Sequence, residues 1–291
     1  MTLPRRFIFL SCGRTLGRYF QACWAHRAIR TIHASIALLM LLSLGHALPA
    51  IGANPDLETV LNGSRQRIEK LDYRATGRLT QVGADGKRTN YKFVAKAHWF
   101  PDGLRMLFEF SAPDAQKTGL LLHMSATGRL TIEAMKPGEK AASVVPFDHW
   151  NDPLLGTNFS YEDMVENQFF WKNQELQAPA KYGTRDCYVL KSTPGLQDKT
   201  SYDSVTSWID RGILFPVQVV KTLHGSGQQK QFIAFGLRQN GGAWSASQLE
   251  AKLPGKPGSS LLVIEGGTPK ANLTRKDFAI GEASAQGALA P

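Results

Sequence analysis

Asn90–Phe100 reads NYKFVAKAHWF, and its period is two. Successive side chains of a strand point to opposite faces. Tyr91, Phe93, Ala95, Ala97 and Trp99 therefore share one side, and Lys92, Val94, Lys96 and His98 the other. Pro101-Asp102-Gly103 signals a turn, and LRMLFEF then sets Leu104, Met106, Phe108 and Phe110 on one face. The pattern extends in both directions. YRATGRLTQV (73–82) runs into the turn GADGK, and RLTIEAM (129–135) aligns Leu130, Ile132 and Ala134. Further on come RDCYVLK, SVTSWID, FPVQVVKTL, KQFIAFGLR, WSASQLEAKL and SLLVIEGG, nearly all separated by Gly, Pro, Asp or Asn. Many strands, short turns and no interleaved helices predict a mainly β chain built on one large antiparallel sheet, with a few helices. The apolar faces alternate large with small groups, Phe93 with Ala95 and Ala97, Phe232 with Ala234 and Gly236. Two readings follow: a strongly curled sheet with room on its concave face, or an ordinary filled core.

Two segments depart from period two. PDLETVLNGSRQRIEKL (55–71) spaces Leu57, Val60, Leu61, Ile68 and Leu71 as a helix does, with a break expected near Gly63. PLLGTNFSYEDMV (153–165) opens on turn residues, and Ser160 with Asp163 fits a capping box. The expectation there is a loop leading into a short amphipathic helix, with Tyr161, Met164 and Val165 on one side. Such a helix must lay its apolar side on the open end or concave face of the sheet.

The chain's start has the form of an export signal. Residues 1–33 hold six arginines and no acid, and the apolar run Ala34–Gly45 and the small residues of HALPAIGA follow. The run is about 12 residues, against the ~20 of a spanning helix. Cleavage is expected between about 47 and 53, leaving one β domain over 54–281 and a disordered tail, 282–291; a retained membrane anchor is the alternative. Subtracting the six arginines from the net charge of +10 leaves +4, which removes the main support for a nucleic-acid partner. Cys12 and Cys23 leave with the leader, and Cys187, in the strand-like RDCYVLK, reads as a small buried hydrophobe.

No nucleophile elbow, zincin motif, phosphate loop or dinucleotide fingerprint is present. His98, His123, His149 and His224 lie in different segments without ligand spacing. No catalytic residue, metal or cofactor is expected, and the chain does not read as an enzyme.

LLGTNFSYEDM (154–164) closely resembles the lgSDfsyeDl signature of the outer membrane lipoprotein-sorting family, the LolA-like carriers. LRMLFEFSAP (104–113), the stretch from Ser201 to Phe232 and NLTRKDFAIG (272–281) match further family features in order. The resemblance spans roughly residues 56–280. Asn158 stands where the family often has Asp, and AMKPGEKAASV (134–144) departs from the usual pattern at the rim. The resemblance implies an unclosed, curled antiparallel β-barrel with helices inside or across its mouth. It also implies a periplasmic carrier of a Gram-negative bacterium, holding acyl chains of lipoproteins or envelope lipids on its concave face. Partners would be lipid or acylated lipoprotein, an inner-membrane transporter and an outer-membrane acceptor; a sensor or adaptor module of the same fold is the alternative. Combined with the face assignments, the expected lining is Tyr91, Phe93, Trp99, Met106, Phe108, Phe110, Leu130 and Ile132. Phe159, Tyr161 and Met164 would come from a lid, or from a fixed plug.

Overall fold

A computed structural model describes residues 57–111, 117–240 and 243–280. The expected export signal and tail lie outside these residues, as do Cys12 and Cys23. Among the described residues, thirteen strands form one antiparallel sheet: β1 (Asp72–Val82), β2 (Arg88–Phe100), β3 (Gly103–Ser111), β4 (Lys117–Ser125), β5 (Leu130–Met135), β6 (Ser143–Val144), β7 (Asn173–Tyr182), β8 (Arg185–Thr193), β9 (Tyr202–Asp210), β10 (Pro216–Leu223), β11 (Gln229–Asn240), β12 (Ala243–Lys252) and β13 (Ser259–Pro269). Two meanders, β1 to β6 and β7 to β13, join where β13 pairs with β1. The sheet is open and curled, with β6 and β7 as its free edges. The seam carries a bulge between Thr76 and Gly77. A Cβ on Gly77 would lie 2.0 Å from the Val263 carbonyl oxygen and 2.8 Å from the Phe93 ring. Only glycine lets the two meanders close against each other there.

The α-helix α1 (Leu57–Glu69) packs Val60, Leu61 and Ile68 against the concave face. The expected break at Gly63 is absent. The residue marks a close approach instead, since a Cβ there would sit 2.4 Å from Leu214 Cδ1. Ser64 turns its hydroxyl back to the Val60 carbonyl at 3.0 Å, which keeps a polar residue inside the helix interface.

A smaller apolar cluster lies apart from the main core. Phe100, Leu107 and Leu121 are covered by Phe278 and Ile280 of the closing segment. Phe278 meets Phe100 edge-on at 5.7 Å, and Arg275 holds Asp102 through two hydrogen bonds of 2.9 and 3.0 Å.

Between the free edges runs the connection 145–172, made of four short 3₁₀ turns: Phe147–His149, Leu154–Gly156, Glu162–Met164 and Asn167–Phe170. The short amphipathic helix expected after Ser160 is only the third of these turns. Asp163 accepts hydrogen bonds from both the amide (2.9 Å) and the hydroxyl (2.7 Å) of Ser160. The carboxylate satisfies the start of the turn, and the chain returns to extended backbone at Val165.

Candidate functional site

Cross-strand register assembles the concave face. Phe93, Ala95, Ala97 and Trp99 stand opposite Phe110, Phe108, Met106 and Leu104. Across β4, Leu122 and Met124 stand opposite Ile132 and Leu130 of β5. All eight expected lining residues thus meet in one apolar cluster, with Tyr91 and Trp99 only partly buried at its margin. Phe108 and Phe110 stack at 6.0 Å, and Phe93 meets each edge-on at 6.1 Å. Such pairs add about 0.5–1.5 kcal/mol beyond area burial.

The chain itself covers this face. α1 lies on it, Phe170 stacks on Trp99 at 6.0 Å, and Phe159 reaches across to Phe232 at 5.8 Å. Phe159 and Met164 are buried in the cluster, and Tyr161 packs against it.

The signature segment is held by a buried ionic network. Asp163 Oδ1 accepts from Tyr202 at 2.5 Å and from the Lys221 ammonium at 3.0 Å, and Oδ2 accepts from the Lys230 ammonium at 3.0 Å. Lys230 also donates to Asn151 at 2.6 Å. Beside it, Glu162 accepts from the Thr200 hydroxyl and the Ser201 amide. Burial pushes the Asp163 carboxyl up, but Lys221 and Lys230, with Tyr202 and Ser160, more than offset this and hold it far below the usual carboxylate range. Burial raises the Glu162 carboxyl, against its hydrogen bonds and the charge of Lys221. Burial and the neighbouring carboxylates push the Tyr202 phenol well above its ordinary value. Asn158 donates its side-chain amide to the Ala251 carbonyl at 3.2 Å, a bond that an aspartate could not make.

Sequence reasoning missed the two lysines, although one signal was available. Alternation along β10 puts Lys221 on the face of Val217 and Val219, and a lysine on an apolar face requires a buried acid.

Two hollows stand out among the described residues. One, about 290 Å³, lies where the β7–β8 turn meets β10 and β11. The other, about 440 Å³, is a groove at the free edge by β5 and β6. Leu130 and Ile132 line its floor, Val144 to Phe147 and Trp150 one side, and Arg129, Gln197 and Lys199 its rim. Among the described residues, no group of His, Cys, Asp or Glu is placed to hold a metal, and no helix is long and apolar enough to cross a membrane.

No curated protein matches the chain by sequence. A family model described as "Uncharacterized protein" matches residues 105–280. Among solved structures, the chain is similar to a domain assigned to outer membrane lipoprotein sorting in Vibrio parahaemolyticus, with a TM-score of 0.68 and 21% identity over 76% of this chain and 94% of that one. It is similar to a DUF1329 family protein from Desulfovibrio piger, with a TM-score of 0.66 and 15% identity over 76% and 96%. It is also similar to a LolA superfamily protein from Nitrosomonas europaea, with a TM-score of 0.61 and 14% identity over 77% and 97%. At these identities the likeness establishes the fold, an open curled LolA-like sheet.

Proposed function

We propose, from the premise that this chain belongs to the family whose model matches residues 105–280, that it carries acyl chains of lipoproteins or envelope lipids on the concave face of its sheet. The observation that carries the proposal is the aromatic-rich face of β2 and β3, which lies in a sheet left open at β6 and β7 and is covered, among the described residues, by α1 and the 145–172 connection. A carrier needs no covalent chemistry. Each buried CH₂ contributes about 0.8 kcal/mol, so a chain of about twelve carbons supplies roughly 10 kcal/mol before ordering costs. The Arg-rich leader supports a periplasmic location. Loading would draw on a transporter in the inner membrane and release on an acceptor in the outer membrane.

Binding requires a cover to move. The signature segment is a fixed plug in this reading, because lifting it exposes or strands the charges around Asp163. α1 is the movable cover. Its polar ties lie at its margin: Arg65 donates to the Phe169 carbonyl at 2.9 Å, and Arg67 pairs with Glu166 at 2.7 Å.

The test is to express the whole chain in a Gram-negative host, purify it without detergent and record native mass spectra. About one lipid or acylated peptide per protein supports the carrier. A ligand-free mass, unchanged after incubation with envelope lipids, refutes it. A second reading, an envelope adaptor that binds a protein and no cargo, draws on the concave face being filled already by the chain's own side chains. A stoichiometric protein partner with no lipid would select it.

A further inference from the structure

We infer that the groove at the β5–β6 edge binds an anionic phospholipid, with an acyl chain on Leu130, Ile132, Val145 and Trp150 and the phosphate against Lys199 and Arg129. The inference rests on the carrier reading and assigns it a headgroup class and a place. The groove's volume of about 440 Å³ lies within the ~300–1,000 Å³ of ligand sites.

Its surroundings are unusually apolar for solvent-facing surface. Four large hydrophobic side chains are exposed among the described residues. Two of them, Val144 at 65% and Phe147 at 39%, line this groove, and a third, Leu196, neighbours Gln197 at its rim. A cluster of exposed apolar groups beside a concave site marks a binding surface.

The charge is one-sided. Arg129 and Lys199 line the groove and no carboxylate does. Three acids adjoin lining residues in sequence: Glu133, Asp148, which is 80% exposed and lies 3.8 Å from His149, and Asp198, whose carboxylate accepts from the Lys172 and Gly195 amides. Lys199 has no carboxylate partner among the described residues; its ammonium lies over the Phe147 and Trp150 rings, at 4.8 and 5.5 Å. An ammonium resting on aromatic faces above an apolar slot can hold a phosphate while the chain below leaves water. Leu130 and Ile132 also belong to the main cluster, so the groove floor is continuous with the concave face.

The experiment measures binding of the purified full chain to phosphatidylglycerol and to phosphatidylcholine vesicles of the same acyl composition. A photoactivatable phosphatidylglycerol maps the contact. The expected result is tighter binding to phosphatidylglycerol, with crosslinks in 129–132 and 144–150. Lys199→Glu and Arg129→Glu each lower that affinity roughly fivefold and lower phosphatidylcholine binding less, because its choline cation already offsets the phosphate. Both side chains are exposed, so the variants keep their fold, checked by unchanged thermal melts. Lipid bound equally by wild type and both variants, or crosslinked only outside the groove, overturns the site and leaves the carrier reading standing. No lipid bound in any arm overturns the groove assignment and the phospholipid form of the carrier reading with it, and leaves lipoprotein acyl chains to the native mass spectra. Crosslinks to a peptide or protein alone overturn the assignment in favour of an adaptor.

Discussion

Asp163 is a carboxylate with two lysines, a tyrosine and a serine turned toward it, all nearly inaccessible to water. Breaking a buried pair on one side costs about 3–5 kcal/mol, because the partners keep their charge without compensation. Asp163→Asn is therefore expected to lower the melting temperature by roughly 6–20 °C at pH 7, measured by calorimetry. The pH dependence has a definite sign. The folded pKa lies below the unfolded value of ~3.9. The stability from this carboxylate is therefore present above about pH 4 and is lost as the pH falls through the folded pKa. The gap between wild type and Asp163→Asn should be constant from pH 7 to 5 and narrow below pH 4; a gap that widened there would disprove the ionic account. Asp163 itself stood out in the sequence as half of a capping box. Its lysines did not, because they lie 58 and 67 residues away.

At the scale of elements, the seam between β1 and β13 joins the two meanders, and Gly77 is its tightest point. Gly77→Ala meets a backbone oxygen that cannot move aside without opening the seam. A loss of about 1–3 kcal/mol or more is expected in urea unfolding. The two covers should differ in mobility. Asn167 Nδ2, Gln168 Oε1 and Ser207 Oγ are buried without a hydrogen-bond partner, and each such group costs about 1–3 kcal/mol. Asn167 and Gln168 belong to the turn against which α1 packs, so opening α1 restores water to them. Amides of α1 should then exchange hydrogen by local opening, while those of Phe159–Val165 wait for global unfolding. Equal protection of both segments would remove α1 as the movable cover. Most strands were legible because one face is wet and the other dry. β4 escaped because Leu120, Leu121 and Leu122 run together, with Leu121 in the outer cluster and its two neighbours in the main core. β7 escaped because it is a polar free edge with Pro179 within it. β6 has only two residues.

For the molecule as a whole, the carrier reading predicts linkage. Phosphatidylglycerol in hundredfold excess over its Kd should stabilise the folded chain by about 2.7 kcal/mol. The melting temperature should rise with lipid concentration, by roughly 5–11 °C at that point. A flat response would count against a phospholipid cargo. The sequence by itself determined the antiparallel sheet and which residues share its apolar face, because alternation is a local property and each turn names itself by its Gly, Pro, Asp or Asn; the open, curled form was implied by the family resemblance, not by the alternation. Only the tertiary structure decided what occupies that face. The ions that pin the signature segment, and the packing of α1 over β3, join residues far apart in the chain. Such contacts depend on how the whole sheet curls, which no window of sequence contains.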